Sequence, residues 1–135
     1  MELKSIMHVD DDEDIRTIVK IAIETVGQME LVQFSDGPSA LEGIGDTKPD
    51  LFLFDVMMPG MTGQELRAEL SKCSNYKNVP TVYVTAKAED SFTNQLLSGG
   101  ALAVVTKPFD PMTLADKLRT IWKTKVNPPS EETFS

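Results

Sequence analysis

The sequence predicts an α/β fold, a doubly wound sheet of five parallel strands with helices on both faces. Five short apolar runs alternate with five segments in which apolar residues recur at helical spacing. The run Leu51–Phe54 is apolar without interruption, as is typical of a strand buried on both faces of a parallel sheet. A (βα)5 alternation of this kind favours parallel strands joined by right-handed crossovers.

The first half of the chain contains three predicted strands and two predicted helices. In chain order they are a strand over Leu3–Val9, a helix with apolar residues from Ile15 to Val26, a strand over Met29–Phe34, a helix running towards Ile44 and a strand over Leu51–Phe54. Gly27 is well placed to end the first helix. Ser35 or Asp36 can cap the second helix, with Pro38 in its first turn.

The second half contains two more strands and three helices. The predicted elements are a helix over Gln64–Ser71, a strand over Val79–Val84, a helix over Glu89–Ser98, a strand over Leu102–Val105 and a final helix whose apolar residues run from Leu114 to Trp122. Asp110 is the expected cap of the last helix, with Pro111 at its first position. We expect one domain over residues 1–124, followed over residues 125–135 by a flexible tail or a truncated linker.

Composition restricts the class of protein. The chain has 135 residues, 41% of them hydrophobic, and a net charge of −8, which disfavours direct binding to nucleic acid. No segment approaches the ~18–20 apolar residues of a membrane span, and no signal-peptide pattern is present. The single cysteine, Cys73, fits a reducing compartment. A cytoplasmic domain without a membrane segment is the expectation.

Five consecutive carboxylates, Asp10 to Asp14, directly follow the first predicted strand. The last three are well explained as the acidic first turn of a helix, which suits the helix dipole. Asp10 and Asp11 are still attached to the strand end. Like charges about 4 Å apart repel by roughly 4 kcal/mol at an effective dielectric of 20, so a strand end that gathers several acids favours a bound cation.

Four predicted strands deliver reactive side chains to the same edge of the sheet. The residues at these strand ends are Asp10 and Asp11 (first strand), Asp55 (third), Thr85 (fourth) and Lys107 (fifth). Ligands of open α/β sheets bind beyond the carboxyl ends of the strands. The pattern therefore predicts a site with carboxylates for a hard cation, a further carboxylate, a hydroxyl and an ammonium group.

With these motifs in order, the chain resembles the receiver domain of two-component response regulators, of the stand-alone, chemotaxis-regulator-like kind. The motifs are Val9-Asp10-Asp11-Asp12-Glu13-Asp14-Ile15-Arg16, Asp55-Val56-Met57-Met58-Pro59-Gly60-Met61-Thr62-Gly63, Val84-Thr85-Ala86 and Thr106-Lys107-Pro108-Phe109. The resemblance covers nearly the whole chain. It implies strand order 2-1-3-4-5 in a flavodoxin-like, three-layer sandwich.

The resemblance also implies a phosphoryl-transfer site. Asp55 would be the phosphoacceptor, forming an aspartyl phosphate. Asp11, Asp55 and the backbone carbonyl of Met57 would bind Mg²⁺ directly, and Asp10 would act through a metal-bound water. The phosphoryl donor would be a sensor histidine kinase or a histidine phosphotransfer protein, and the output a downstream protein target. The domain would promote only its own phosphorylation and dephosphorylation, and is not expected to be an enzyme otherwise.

Three further residues would hold the phosphoryl group. Lys107 would pair with one of its oxygens, while the Thr85 hydroxyl and the backbone N–H of Ala86 would bind the others. The family also implies a cis peptide bond before Pro108, which would direct Lys107 inward.

The chain departs from the family at one position of the switch. Many receivers have Tyr or Phe three residues before the conserved lysine, where ring rotation follows the movement of the threonine; this chain has Val104. Since a β-branched side chain is stiff, we expect Thr85 and Val104 to act without an aromatic rotamer change. Movement of Ala103, or of the loop between Thr85 and Glu89, would then carry the signal.

Two other functions fit part of the acidic run. Asp10-Asp11-Asp12 gives the Asp-x-Asp of haloacid-dehalogenase-type phosphatases, but Asp14 stands where that family has Thr or Val. In that case Asp10, not Asp55, would be phosphorylated.

A calcium-binding loop is the other alternative. Asp10, Asp12 and Asp14 match its first, third and fifth positions. However, Ile15 stands at its glycine position and Ile21 at its final glutamate position, which excludes it.

Overall fold

A computed structural model describes residues 2–86 and 89–126. All five strands are parallel and form one sheet of order β2-β1-β3-β4-β5, which confirms the predicted fold class. The strands are β1 (Ser5–Val9), β2 (Glu30–Phe34), β3 (Leu51–Asp55), β4 (Thr81–Thr85) and β5 (Ala103–Thr106).

Helices cover both faces of the sheet. They are α1 (Glu13–Lys20, continued by π-helical turns over Ile21–Val26), α2 (Gly37–Gly43), α3 (Gly63–Leu70), α4 (Asp90–Ser98) and α5 (Leu114–Ile121, continued by π-helical turns over Trp122–Val126). One buried apolar cluster joins the sheet to α1 and α5, and the other joins it to α2, α3 and α4. Residues 2–86 and 89–126 contain no helix that is both long enough and apolar enough to cross a membrane.

Side-chain caps set where the first helices begin. The Asp12 carboxylate accepts hydrogen bonds from the backbone N–H groups of Asp14 (2.9 Å) and Ile15 (3.3 Å). The Asp36 carboxylate likewise accepts from Ser39 N–H at 2.7 Å, so Asp36 rather than Ser35 caps α2. The Asp12 carboxylate therefore serves as the N-cap of α1 and is distinct in role from the acids at the strand end.

The last helix begins later than the sequence predicts. Asp110 Oδ1 accepts from the backbone N–H of Met112 at 2.8 Å, and this local bond forms a turn ahead of the helix. α5 therefore starts at Leu114, and Pro111 lies in the turn. At the other end, Lys125 and Val126 continue the helical chain, while residues 127–135 of the predicted tail lie outside the described residues. The boundary at residue 124 stays a prediction.

Glycine is needed at position 27, where the first helix ends, because another helix packs close to it. Its φ is −83°, and the left-handed conformation belongs to Gln28, with φ 55°. A Cβ at Gly27 would lie 2.7 Å from the Cβ of Ala115, so glycine is needed because α5 passes so close to it. This contact fixes α1 against α5 on one face of the sheet.

Candidate functional site

The parallel register brings four strand ends to one edge of the sheet. Asp55 is the last residue of β3 and pairs with Val84 of β4, one residue before Thr85. Thr85 pairs with Thr106, and the next residue, Lys107, donates its backbone N–H to the Thr85 carbonyl at 2.8 Å. The side chains that follow these strands are thereby collected at one edge, as the sequence predicts.

Three carboxylates at this edge form a group that could hold a metal ion. One carboxylate oxygen from each of Asp10, Asp11 and Asp55 lies within 4.8 Å of the others. Asp10 is fully buried, Asp55 is 4% exposed, and Asp11 is exposed. All three donors are hard oxygens, two come from the protein interior and one faces solvent, which fits Mg²⁺, an ion that keeps several of its waters.

Lys107 inserts its ammonium group between the two buried acids. Its Nζ lies 3.2 Å from Asp10 Oδ2 and 3.5 Å from Asp55 Oδ1, and the lysine side chain is 20% exposed. The contact of Lys107 with Asp10 Oδ2 is not a well-directed hydrogen bond, so it is an ion pair held by charge. A cation at this point offsets the repulsion between the two carboxylates.

The pKa values of the charged groups at this edge are shifted from their usual values. Burial, and after it the neighbouring Asp10 carboxylate, raise the pKa of Asp55 from 3.8 to about 6 against the opposing effect of Lys107. Burial also raises the pKa of Asp10, against the lowering effect of its hydrogen bond from Asp12 N–H. Burial lowers the pKa of Lys107, but the carboxylates outweigh it and the net shift is upward. These shifts describe a site with an excess of buried negative charge.

Asp10 is held by backbone contacts on two sides. Its Oδ1 accepts from Asp12 N–H at 2.9 Å, and its backbone carbonyl accepts from the Arg16 guanidinium at 2.7 Å. Its backbone N–H donates to the carbonyl of Phe34 on β2 at 3.2 Å. The position of this carboxylate is therefore tied to both α1 and β2.

Glycine is required directly behind Asp55. The backbone N–H of Gly63 donates to the carbonyl of Val56 at 3.0 Å, which closes the loop between β3 and α3. A Cβ at Gly63 would collide with the backbone carbonyl oxygen of Asp55. The sequence motif contains Gly63 but does not predict this close approach, which depends on how α3 packs over the strand end.

The remaining predicted site residues lie at the same edge. Thr85 is buried, and Ala86, which follows it, is exposed. Met57 is 61% exposed on the loop after Asp55. The Lys107–Pro108 peptide bond is cis.

Val104, a residue of the predicted switch, lies beside an aromatic residue of the neighbouring strand. It pairs with Tyr83 of β4, which is 6% exposed, and both contribute to the cluster under α2, α3 and α4. Phe92 of α4 packs against the same cluster, whereas Phe109 packs on the opposite face. In the predicted loop between Thr85 and Glu89, residues 87 and 88 lie outside the described residues.

Comparison with known proteins agrees with the fold. The family profile of the "Response regulator receiver domain" matches residues 6–119. The phosphate regulon transcriptional regulatory protein PhoB of Pseudomonas aeruginosa is 36% identical over 118 residues, which are 87% of this chain and 51% of that protein. PhoB of Escherichia coli is 30% identical over 129 residues, 96% of this chain and 56% of that protein.

Solved structures give the same result. The chemotaxis response regulator CheY4 of Vibrio cholerae superposes with a TM-score of 0.79 at 29% identity, covering 88% of this chain and 98% of that one. The receiver domain of the Francisella response regulator 1452 superposes with a TM-score of 0.76 at 28% identity, covering 89% and 97%.

The fold and the acidic edge of the sheet together define a phosphorelay signalling domain. The chain belongs to the receiver domain family of two-component response regulators. It spans about half the length of the curated relatives it matches. Members of this family are signalling domains that work with histidine kinases and downstream effectors.

Proposed function

We propose that Asp55 accepts a phosphoryl group from a sensor histidine kinase or a histidine phosphotransfer protein, in the presence of Mg²⁺. The observation that carries this proposal is the position of Asp55 between the two other acids and Lys107, whose Nζ is 3.5 Å from Asp55 Oδ1. A carboxylate oxygen of Asp55 attacks phosphorus, an O–P bond forms, and the P–N bond of the donor phosphohistidine breaks. The released imidazole takes its proton from solvent.

The residues around Asp55 have separate tasks in this reaction. Asp11, Asp55 and the Met57 carbonyl would bind Mg²⁺ directly, with Asp10 acting through a bound water. When bound, Mg²⁺ offsets the charge that develops on the phosphoryl oxygens. Lys107 pairs with one phosphoryl oxygen.

The hydroxyl of Thr85 and the N–H of Ala86 bind the remaining phosphoryl oxygens. The buried position of Thr85 at the end of β4 and the exposed position of Ala86 next to it support this assignment. Asp55 must be ionised to attack, and its pKa of about 6 leaves it mostly ionised above neutral pH.

Phosphorylation would act through a change on the β4–β5 side of the sheet. Thr85 moves towards the phosphoryl group, and the conformation of β4, β5 and their helices shifts with it to regulate a partner protein. The domain itself makes no contact with nucleic acid or membrane, because its net charge of −8 opposes binding to a polyanion. We place the domain in the cytoplasm, where a histidine kinase would reach it.

Intact-mass spectrometry after incubation with acetyl phosphate and Mg²⁺ tests the proposal. We expect one added phosphoryl group on the wild type, none on Asp55→Asn, and none after chelation of Mg²⁺. Asp11→Asn should also lose the modification, whereas Asp14→Asn, an equally exposed acid of the same run, should keep it. Modification of Asp55→Asn would instead make Asp10 the acceptor, as in the phosphatase alternative. An unmodified wild type would mean either that only a specific kinase can supply the phosphoryl group or that the receiver fold serves as a binding module.

A further inference from the structure

His8, the only histidine of the chain, lies directly behind the acidic site. It is fully buried in β1, and because side chains alternate along a strand, it points to the same face as Asp10. Its Nε2 lies 3.9 Å from Asp10 Oδ2. The ring is therefore packed in the core and also faces the Asp10 carboxylate.

The protonation state of the ring follows from its surroundings. A ring nitrogen that accepts a hydrogen bond carries no hydrogen, so a ring with one accepting nitrogen is a neutral imidazole whose single N–H is on the other nitrogen. Which nitrogen carries that hydrogen depends on the group next to Nδ1.

Gln33 of β2 supplies that group and fixes the tautomer. Its Nε2 donates to the backbone carbonyl of Arg16 at 2.9 Å, and since a carbonyl can only accept, the amide nitrogen must lie on this side. The same Nε2 is 3.0 Å from His8 Nδ1. An amide nitrogen has donors only, so His8 Nδ1 must accept, and the ring proton must be on Nε2, facing Asp10.

These contacts form a closed ring of four residues. Arg16 donates through its guanidinium to the Asp10 carbonyl and accepts through its own carbonyl from Gln33. Gln33 donates to His8, and the His8 N–H faces the Asp10 carboxylate. Among the described residues, His8 Nε2 and Asp10 Oδ2 are both buried without a well-directed hydrogen bond, a state that costs free energy.

We propose that His8 is a positioning residue for Asp10, which donates its Nε2–H to Asp10 Oδ2 when Lys107 leaves that oxygen for the phosphoryl group. This inference rests on the proposed function, since it concerns the site loaded with Mg²⁺ and a phosphoryl group. In the structure Lys107 Nζ is the closer group to Oδ2, at 3.2 Å. Once Lys107 turns to the phosphoryl group, a shift of less than about 1 Å brings His8 Nε2 within hydrogen-bond distance of this otherwise unpartnered oxygen. Asp10 then keeps the orientation that it needs to hold a metal-bound water.

Two variants of His8 separate positioning from packing. His8→Gln keeps a donor N–H near the position of Nε2, whereas His8→Leu fills similar space without a donor. Gln33→Leu leaves His8 in place but removes the group that fixes its tautomer. Binding of Mg²⁺ in the presence of beryllofluoride, which stands in for the phosphoryl group, is measured by calorimetry as the first readout. The long-range ¹H–¹⁵N spectrum of the single imidazole is the second.

We expect the wild-type ring to be the Nε2–H tautomer, with an Nε2 resonance that shifts when Mg²⁺ and beryllofluoride are added. We expect His8→Leu and Gln33→Leu to raise the Mg²⁺ dissociation constant about tenfold, and His8→Gln to raise it no more than about threefold. An Nδ1–H tautomer in the wild type would overturn the inference, and this spectrum needs no variant to fold. Equal weakening by His8→Leu and His8→Gln, or no weakening by either, would also overturn it.

The same experiment distinguishes this inference from the proposed function. If the wild type binds Mg²⁺ and the His8 variants bind it equally well, the positioning role fails and the phosphoacceptor site stands. If the wild type does not bind Mg²⁺, the proposed function and the role of His8 fail together.

Discussion

The Nζ atom of Lys107 lies 3.2 Å from Oδ2 of Asp10, which joins the residue after β5 to the residue after β1 across the centre of the sheet edge. The same ammonium group lies 3.5 Å from Asp55 Oδ1, so one cation offsets two buried carboxylates. In the absence of a divalent ion, this lysine holds the acidic edge together. Its contribution to stability and its proposed binding of the phosphoryl group require the same nitrogen atom.

Removal of Lys107 should therefore destabilise the cation-free protein. Lys107→Met leaves Asp10 and Asp55 as buried acids without a counter-charge, and we expect a loss of about 2–3 kcal/mol in the free energy of unfolding at neutral pH. Urea denaturation in a chelating buffer measures it. Lys117→Met, at an exposed position of α5, should change the stability by less than about 0.5 kcal/mol. Equal stabilities of the two variants would show that Lys107 does not hold the acids.

Asp55→Asn should have the opposite effect, with a defined pH dependence. The pKa of Asp55 is raised from 3.8 to about 6, so the folded state binds this proton more tightly than the unfolded state does. Below about pH 4 the Asp55 carboxyl is protonated in both the folded and the unfolded state, so it does not lower the free energy of unfolding. Above about pH 6 it is ionised in both, and the folded state carries the full cost of about 3 kcal/mol.

Thermal unfolding in a chelating buffer tests this sign. Wild-type stability should fall relative to Asp55→Asn as the pH rises from about 4 to about 6, and the difference should then stay constant. The two proteins should be nearly equal at about pH 4. Addition of Mg²⁺ at neutral pH should reduce the difference, since Asp55 is proposed as one of its ligands. If Asp55→Asn were less stable than the wild type at neutral pH, the ionised Asp55 would not destabilise the folded state, and this prediction would be wrong.

Gly63→Ala should disturb the site through the backbone. The added Cβ collides with the Asp55 carbonyl oxygen, which cannot move without displacing the end of β3. We expect a loss of about 2–3 kcal/mol in stability and slower phosphorylation by acetyl phosphate. Gly99→Ala is the matched control, because its φ is −78° and its new Cβ would meet no atom closer than 3.5 Å. Similar stability of the two variants would mean that the loop after Asp55 adjusts easily.

The strand-end residues could be predicted because parallel strands deliver their last residues to one edge. Asp10, Asp55, Thr85 and Lys107 each follow an apolar run, so their convergence required only the alternation of strands and helices. The ring of contacts formed by His8, Gln33, Arg16 and Asp10 could not be predicted in this way. It depends on the pairing of His8 with Gln33 across β1 and β2 and on the orientation of an amide, neither of which a sequence pattern contains.

Helix ends and close packing contacts could not be predicted from the sequence either. Asp110 has the character of a helix cap, but its side chain bonds to Met112 and forms a turn, which moves the start of α5 to Leu114. Gly27 and Gly63 have the character of helix-end and loop residues, but each is required because another part of the chain approaches its Cα. These features arise from tertiary contacts that local propensity does not determine.

The expected conformational response to phosphorylation, without an aromatic rotamer change at Val104, stays a prediction. The structure adds one detail to it. Val104 is paired with the buried Tyr83, so the space in which a rotating ring would move is bordered by an aromatic side chain on the neighbouring strand. Valine has no aromatic ring that could rotate inward, and its β-branched side chain is stiff at χ1. We therefore expect phosphorylation to move the backbone around Ala103 and the loop after Thr85, while Tyr83, Phe92 and Phe109 keep their χ1 rotamers.

Structures of the free and beryllofluoride-bound protein would test this readout directly. A changed rotamer of Phe92 would be the most damaging result, because this ring packs in the same cluster as Val104. Phe109 packs on the other face of the sheet and serves as an internal comparison. As a complementary test, Val104→Tyr introduces the ring that many receivers have at this position. If an aromatic switch is absent from the natural mechanism, this variant should be phosphorylated at a rate within about twofold of the wild type but should bind its partner with altered affinity.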